Sequence, residues 1–205
     1  MFKHQINKNR GLKISAKHGF TMIEMIVSIS LITIITALFV ANYRQSNKRT
    51  DLIMAAQSLV ADLHLAQNNT LGLVKYNMAE PLVPSGGWGV NFDLTKNSYT
   101  IFADLDGPGE NGNLEFDPDV EGEVRYGART TVFPSGVLIS SLKTNNGETN
   151  QKVNVTFLPP DPKTNIYRVD TSATSTVLEI ELKELRDNTT KTVRVNFLGL
   201  VEVID

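Results

Sequence analysis

The chain has 205 residues, of which 41% are hydrophobic and 20% charged, and its 20 Lys or Arg against 22 Asp or Glu give a formal net charge of −2. Because the apolar content is high and cysteine is absent, this composition excludes collagen-like, acidic disordered and disulfide-scaffold proteins. The near balance of charge gives no overall attraction to nucleic acid. The distribution of residue types along the chain is therefore more informative than their totals.

The amino-terminal fifth combines a cationic leader with a long apolar segment. Residues 1–19 contain five Lys or Arg and no Asp or Glu, whereas Glu24 is the one ionisable residue of segment 20–41. A helix of that length reaches about 33 Å and can cross a hydrocarbon core of about 30 Å. The preceding cations place the amino terminus in the cytoplasm and the remaining chain outside. A cleaved secretory signal is disfavoured, because the apolar run is too long and Phe39 disrupts the small-x-small pattern before Ala41.

A carboxylate inside the apolar segment needs a partner, because a charge at membrane depth costs about 2.5–3.5 kcal/mol on insertion scales. Gly19 and Phe20 lie at the boundary between the leader and the apolar run. Cleavage after Gly19 would create an α-amino group at Phe20, one helical turn before Glu24. That amine could pair with Glu24 of the same chain or of a neighbouring subunit.

The string KHGFTMIEM at residues 17–25 resembles the class III signal of type IV prepilins and type II secretion pseudopilins. The resemblance implies cleavage between Gly19 and Phe20 by a membrane prepilin peptidase, and N-methylation of Phe20 by the same enzyme. It also implies that Glu24 guides assembly and that segment 20–41 is both membrane anchor and filament core.

Residues 42–76 are predicted to continue the helix to about Gly72. Apolar residues recur there with a period near 3.6, which is typical of an amphipathic helix: Leu52, Ala55, Ala56, Leu59, Val60, Leu63, Ala66, Leu71 and Val74. We expect Arg49, Asp51, Asp62 and His64 on its solvated side. Segment 51–68 looks like the corresponding helix of minor pseudopilin H and FimT-like minor pilins.

Residues 77–205 are predicted to form a β-rich domain, because the periodicity there changes to two. The predicted strands are residues 89–93, 99–103, 130–140, 153–158, 166–169, 176–183 and 191–205. Hairpin loops are expected at 95–97 and 187–188, and Gly199 is expected to form a bulge or kink in the last strand. The predicted fold class is α+β, with the long helix packed on an antiparallel sheet, and this arrangement also resembles the same minor pseudopilins.

Segment 104–123 contains eight carboxylates and no Lys or Arg. Carboxylate oxygens are ligands that Ca²⁺ accepts, so Asp104, Asp106, Glu110 and Asp117 are candidate calcium ligands. However, the spacing departs from that of an EF-hand loop, and Pro108 follows the first glycine. The alternative is a solvated acidic insertion that binds no ion.

Catalytic motifs are lacking: the sequence contains no phosphate-binding loop, no zinc spacing and no cysteine nucleophile. His64 is interpreted as a solvated helix residue, so we expect no enzymatic activity. Nucleic acid is not an expected partner, because acidic residues are interleaved with the basic residues of 183–194.

The predicted function is that of a structural subunit of a type IV pilus or a type II secretion pseudopilus. The resemblance implies a single-pass protein of the cytoplasmic membrane that enters a filament after processing. Its implied partners are the prepilin peptidase and methyltransferase, other pilin or pseudopilin subunits, the inner-membrane assembly machinery and the lipid bilayer. The alternative is a signal-anchored extracellular binding module that holds calcium in its acidic loop and does not assemble.

Overall fold

The computed structural model of the chain describes residues 19–76, 83–105, 114–116, 128–149, 151–158 and 163–204, without the side chains of residues 44–48. The chain divides into two compact units, Met1–Arg44 and Gln45–Asp205. A single helix, α1 (Met22–Leu71), begins in the first unit and ends in the second. Its end agrees with the prediction of a helix that continues to about Gly72.

Four hydroxyl side chains of the first unit donate to backbone carbonyls within α1 itself. The hydroxyls of Ser28, Ser30, Thr33 and Thr36 each donate to the carbonyl oxygen four residues earlier, at 2.7–2.8 Å. Such bonds matter in an apolar environment, where no water can replace them. The segment can therefore carry four hydroxyls without an unsatisfied donor.

The second unit combines the carboxy-terminal part of α1 with two antiparallel sheets, which confirms the α+β class. Its described strands are β1 (Trp88–Asp93), β2 (Ser98–Ala103), β3 (Arg129–Val132), β4 (Val137–Thr144), β5 (Gly147–Thr149), β6 (Lys152–Leu158), β7 (Lys163–Arg168), β8 (Ala173–Ser175), β9 (Val177–Glu184), β10 (Thr190–Asn196) and β11 (Val201–Ile204). Sheet A has the order β3-β2-β1-β6-β7-β8, and sheet B has the order β11-β10-β9-β4-β5.

The apolar stripe of α1 joins residues of both sheets in one hydrophobic core. Its most buried members are Leu52, Ala55, Ala56, Leu59, Leu63 and Ala66. Val60 is partly buried, whereas Leu71 and Val74, at the end of the predicted stripe, are exposed. Burial of the stripe, rather than helix propensity alone, holds this part of α1 on the sheets.

Asp62 does not lie on the solvated side of α1, as the sequence had suggested. Its side chain is only 13% exposed and binds Arg129, and the hydroxyl of Tyr99 donates to its Oδ2 at 2.8 Å. Burial and the Asp62 carboxylate together raise the pKa of Tyr99 to about 12. Because these partners lie 37 and 67 residues away in the chain, helical periodicity could not reveal them. His64 is exposed, as predicted.

The prediction of one strand over residues 130–140 is wrong. The segment contains β3 in sheet A and β4 in sheet B, separated by a turn in which Val137 N–H donates to the carbonyl of Pro134 at 3.0 Å. Gly136 has a φ of +97°, a backbone conformation that glycine adopts without strain. Pro134, Ser135 and Gly136 interrupt the apolar pattern of this segment and mark the passage from one sheet to the other.

The prediction of one bent strand over residues 191–205 is also wrong. β10 and β11 form a hairpin, and Gly199, with a φ of +79°, lies in its turn. Gly199 N–H donates to the carbonyl of Asn196 at 2.9 Å, and the Asn196 side chain accepts from Leu198 and Leu200. The asparagine and the glycine therefore reverse the chain instead of bending it.

The expected single sheet is two sheets, and the sequence interpretation missed β5 and β8. Each of these strands has three residues, which is too short to show an alternation of apolar and polar positions. The loops expected at 95–97 and 187–188 do connect paired strands, β1 with β2 and β9 with β10.

Candidate processing and assembly segment

The residues around the expected scissile bond precede α1 and are exposed. Phe20 is 77% exposed, and a Cβ added to Gly19 would meet no atom within 4 Å. The structure therefore leaves space for a side chain at residue 19. Any requirement for glycine there must come from an enzyme that handles this bond, not from the fold of the described chain.

Thr21 and Glu24 form a reciprocal capping arrangement at the start of α1. Glu24 N–H donates to Thr21 Oγ1 at 3.3 Å, and Thr21 N–H donates to Glu24 Oε2 at 3.4 Å. This is the capping box of a Thr-x-x-Glu sequence, which satisfies two backbone donors that the first turn leaves without partners. The acidic side chain also interacts favourably with the positive end of the helix dipole.

The capping box was not predicted, although Thr-Met-Ile-Glu at 21–24 contains its sequence signature. Its consequence is that the Glu24 carboxylate points back toward the start of the chain. Phe20 directly precedes Thr21, whose backbone N–H donates to the Glu24 carboxylate. A new amino terminus at Phe20 would thus be close in sequence to a carboxylate already directed toward it.

The helix that follows has the length and composition of a membrane span. Among the described residues, Met22–Tyr43 is the one helical segment that meets both criteria, and none of it is buried within the structure. Its large apolar side chains are half exposed or more along nearly the whole segment, as Met22, Ile32 and Phe39 illustrate. Such a surface requires a bilayer or neighbouring helices to cover it.

The family model of the prokaryotic N-terminal methylation motif matches residues 14–40. The match supports a type IV pilin-like protein. It covers Gly19, Phe20, Glu24 and most of the predicted span, and it ends before the β-rich unit begins. No curated protein and no solved structure matches the chain.

The motif implies processing by a prepilin peptidase and assembly with other pilin-like subunits. Together with the apolar helix, it fits a membrane-anchored protein. The motif also favours a structural subunit. Residues 1–18, which belong to the predicted leader, lie outside the described residues.

Of the four candidate calcium ligands, the structure describes only Asp104. Asp104 is fully buried, and its Oδ2 accepts a hydrogen bond from the backbone N–H of Leu114 at 2.8 Å. Asp106, Glu110 and Asp117 lie outside the described residues. Within the described part of the chain, no three His, Asp or Glu side chains are grouped so that they could hold a metal ion.

Asp104 has a structural role that the sequence did not suggest. Its backbone exchanges hydrogen bonds with the 86–87 turn, donating to the Gly87 carbonyl at 2.9 Å and accepting from Gly86 N–H at 3.2 Å. A Cβ at residue 86 would collide with the Asp104 carboxylate. This carboxylate thus supports the beginning of the acidic segment by packing and hydrogen bonding.

Proposed function

We propose that the chain is a structural subunit of a type IV pilus or a type II secretion pseudopilus, of the minor pseudopilin H or FimT-like kind. The observation that carries this proposal is the methylation-motif match over residues 14–40, with Gly19, Phe20 and Glu24 in register. In this proposal a prepilin peptidase cleaves after Gly19 and methylates Phe20. The subunit then leaves the cytoplasmic membrane with the help of inner-membrane assembly machinery and enters a filament through α1.

Mass spectrometry of the mature amino terminus tests the processing step. We expect a chain that begins at Phe20 and carries one added methyl group when the protein is co-produced with a prepilin peptidase. The Gly19→Val variant should remain uncut. Because residue 19 has open space around it, loss of cleavage in this variant would reflect recognition by the peptidase and not misfolding. An intact leader or a cut at another bond in the native sequence would contradict the proposal and favour the signal-anchored binding module.

Two substitutions at Glu24 separate its capping role from its charge. Gln at the third helical position can still complete a capping box, whereas Ala cannot. If Glu24 pairs with the Phe20 amine of a neighbouring subunit, both Glu24→Gln and Glu24→Ala should be exported and processed but enter filaments at least tenfold less often. Recovery in sheared filament fractions measures this effect. Normal incorporation of Glu24→Gln would reject the pairing and leave capping as the role of Glu24.

A further inference from the structure

A row of alternating charges crosses all five strands of sheet B. The strand registers place one charged residue of each strand directly opposite the next, in the order Glu148, Lys143, Glu179, Arg194, Glu202. Arg194 lies 3.7 Å from the Glu179 carboxylate and 3.9 Å from that of Glu202. Opposite charges at directly paired positions stabilise a sheet. The row ends in an acidic residue at each edge, and Glu202 on β11 is one of these ends.

The outer edge of β11 is unpaired among the described strands. Asn196 N–H donates to the Leu200 carbonyl at 3.2 Å, so this is a hydrogen-bonded pair of the β10–β11 hairpin. In an antiparallel ladder such pairs alternate with non-hydrogen-bonded pairs. The backbone groups of Glu202 are therefore directed to β10, and those of Val201 and Val203 are directed to the outer edge.

The same edge exposes an apolar side chain on the core-facing side of sheet B. Val203 lies opposite Val193 and on the same face, yet Val203 is 44% exposed whereas Val193 is fully buried. An additional strand beside β11 would cover the exposed Val203 side chain.

We propose that the outer edge of β11 binds an extended segment of a different protein by strand addition. The segment would have a Lys or Arg opposite Glu202, which continues the alternation of charge, and apolar residues opposite Val201 and Val203. Main-chain hydrogen bonds to these two valines would provide affinity, and the flanking side chains would provide specificity.

The other described sheet edges do not fit as the occupant. β5 presents Glu148, which would place a like charge beside Glu202. β8 contains no charged residue, and Arg129 of β3 is bound to Asp62. A second copy of the chain thus offers no described edge strand with an available cation, and this mismatch favours a different partner.

Fluorescence anisotropy with a labelled TVKVT peptide tests the proposal on the full chain in detergent micelles. We expect saturable binding, and at least tenfold weaker binding of the matched TVEVT peptide. Glu202→Lys should reverse this preference. The absence of saturable binding at millimolar protein, or equal binding of the two peptides, would overturn the proposal.

A proline substitution tests whether the peptide adds to the sheet through the backbone. Val203→Pro removes an outward N–H without removing a bond to β10, and an edge strand tolerates such a proline. We expect Val203→Pro to abolish binding and the control Val203→Thr to retain it, with thermal unfolding used to verify that both are folded. Unchanged binding by a folded Val203→Pro would overturn the proposal.

Self-association would also overturn it if the native chain self-associates and the Val203→Pro variant does not, because a second copy of the chain would then be the occupant of this edge. If Val203→Pro does not fold, the reversal by Glu202→Lys decides.

Discussion

Arg168 links the two sheets through a single buried guanidinium. It lies at the end of β7 in sheet A, its side chain is 6% exposed, and it donates to the carbonyls of Asn146, Gly147 and Glu148 at the β4–β5 hairpin of sheet B. The Asp170 carboxylate accepts from its Nε at 3.0 Å and from its Nη2 at 2.8 Å. Hydrogen bonds to charged groups contribute more than neutral ones. This arginine therefore fixes the position of one sheet relative to the other within the second unit.

The Arg168–Asp170 pair should make unfolding depend on pH in the acidic range. Hydrogen bonds from Arg168 lower the pKa of Asp170 to about 2 from 3.8. A carboxyl group with a lowered pKa in the folded state contributes stability above its unfolded pKa and loses it as pH falls, here between about pH 5 and 2. Asp170→Asn should reduce the free energy of unfolding by about 1–2 kcal/mol at neutral pH. It should also flatten the acid limb of the stability profile.

Denaturant unfolding at a series of pH values, followed by Trp88 fluorescence, measures this effect. Trp88 is the single tryptophan of the chain, and its indole N–H donates to the Val74 carbonyl at 3.0 Å in the second unit. Asp51→Asn, at an exposed residue of α1, is the matched control and should change stability by less than about 0.5 kcal/mol. If Asp170→Asn keeps the acid dependence of the native chain, the pair is not its source.

At the level of single elements, the stripe of α1 was predictable because a helix repeats every 3.6 residues. The predicted residues Leu52, Leu59 and Leu63 are each at most 1% exposed. The same periodicity failed for Asp62, since a polar residue between apolar ones is usually solvated and its burial here depends on β2 and β3. The spacing of apolar residues therefore identified the buried face of α1, whereas contacts with β2 and β3 decided that Asp62, next to this face, is also largely buried.

Two leucines of α1 provide a direct test of that face. Leu59→Ala creates a cavity at a fully buried position and should reduce the free energy of unfolding by about 2–5 kcal/mol. Leu65→Ala, at a residue that is 40% exposed, should change it by less than about 0.5 kcal/mol. Urea unfolding in detergent micelles, followed by Trp88 fluorescence, compares them. Equal losses for the two variants would show that the stripe has been assigned to the wrong face.

The strands illustrate a different limit of sequence information. Alternation placed β9 within one residue at each end, because Leu178, Ile180 and Leu182 are fully buried between partly exposed neighbours. Alternation cannot assign a strand to one of two sheets, since both sheets of the second unit have one face in the same core. The predicted strand over residues 130–140 is therefore divided between β3 of sheet A and β4 of sheet B, on either side of the Pro134-Ser135-Gly136 turn.

At the level of the whole molecule, the two units differ in charge and in the exposure of their apolar side chains. Residues 20–205 contain 15 Lys or Arg and 22 Asp or Glu, so the formal net charge of −2 combines a cationic segment 1–19 with a more acidic remainder. The first unit exposes apolar side chains along its helix, whereas the second unit has a buried core of its own. The average composition is therefore that of neither unit.

A fragment of residues 45–205 should fold without the rest of the chain. The fragment contains every buried hydrophobic residue of the described chain, the first of which is Leu52. We expect cooperative thermal unfolding in the absence of detergent, with a midpoint within a few degrees of that of the full chain in micelles. Circular dichroism and Trp88 fluorescence measure it. Loss of a cooperative transition would show that the amino-terminal unit is required for folding.

The sequence by itself determined the cationic segment 1–19, the apolar segment 20–41 with Glu24 inside it, and the change from helical to strand periodicity. These features depend on composition and on spacings of a few residues, so they can be predicted from the sequence without knowledge of the tertiary structure. Only the tertiary structure decided that the strands form two sheets, that Asp62 is covered by Tyr99 and Arg129, and that Arg168 joins the sheets. These contacts link residues that are 20 or more positions apart. They depend on strand register and burial, which no local pattern specifies.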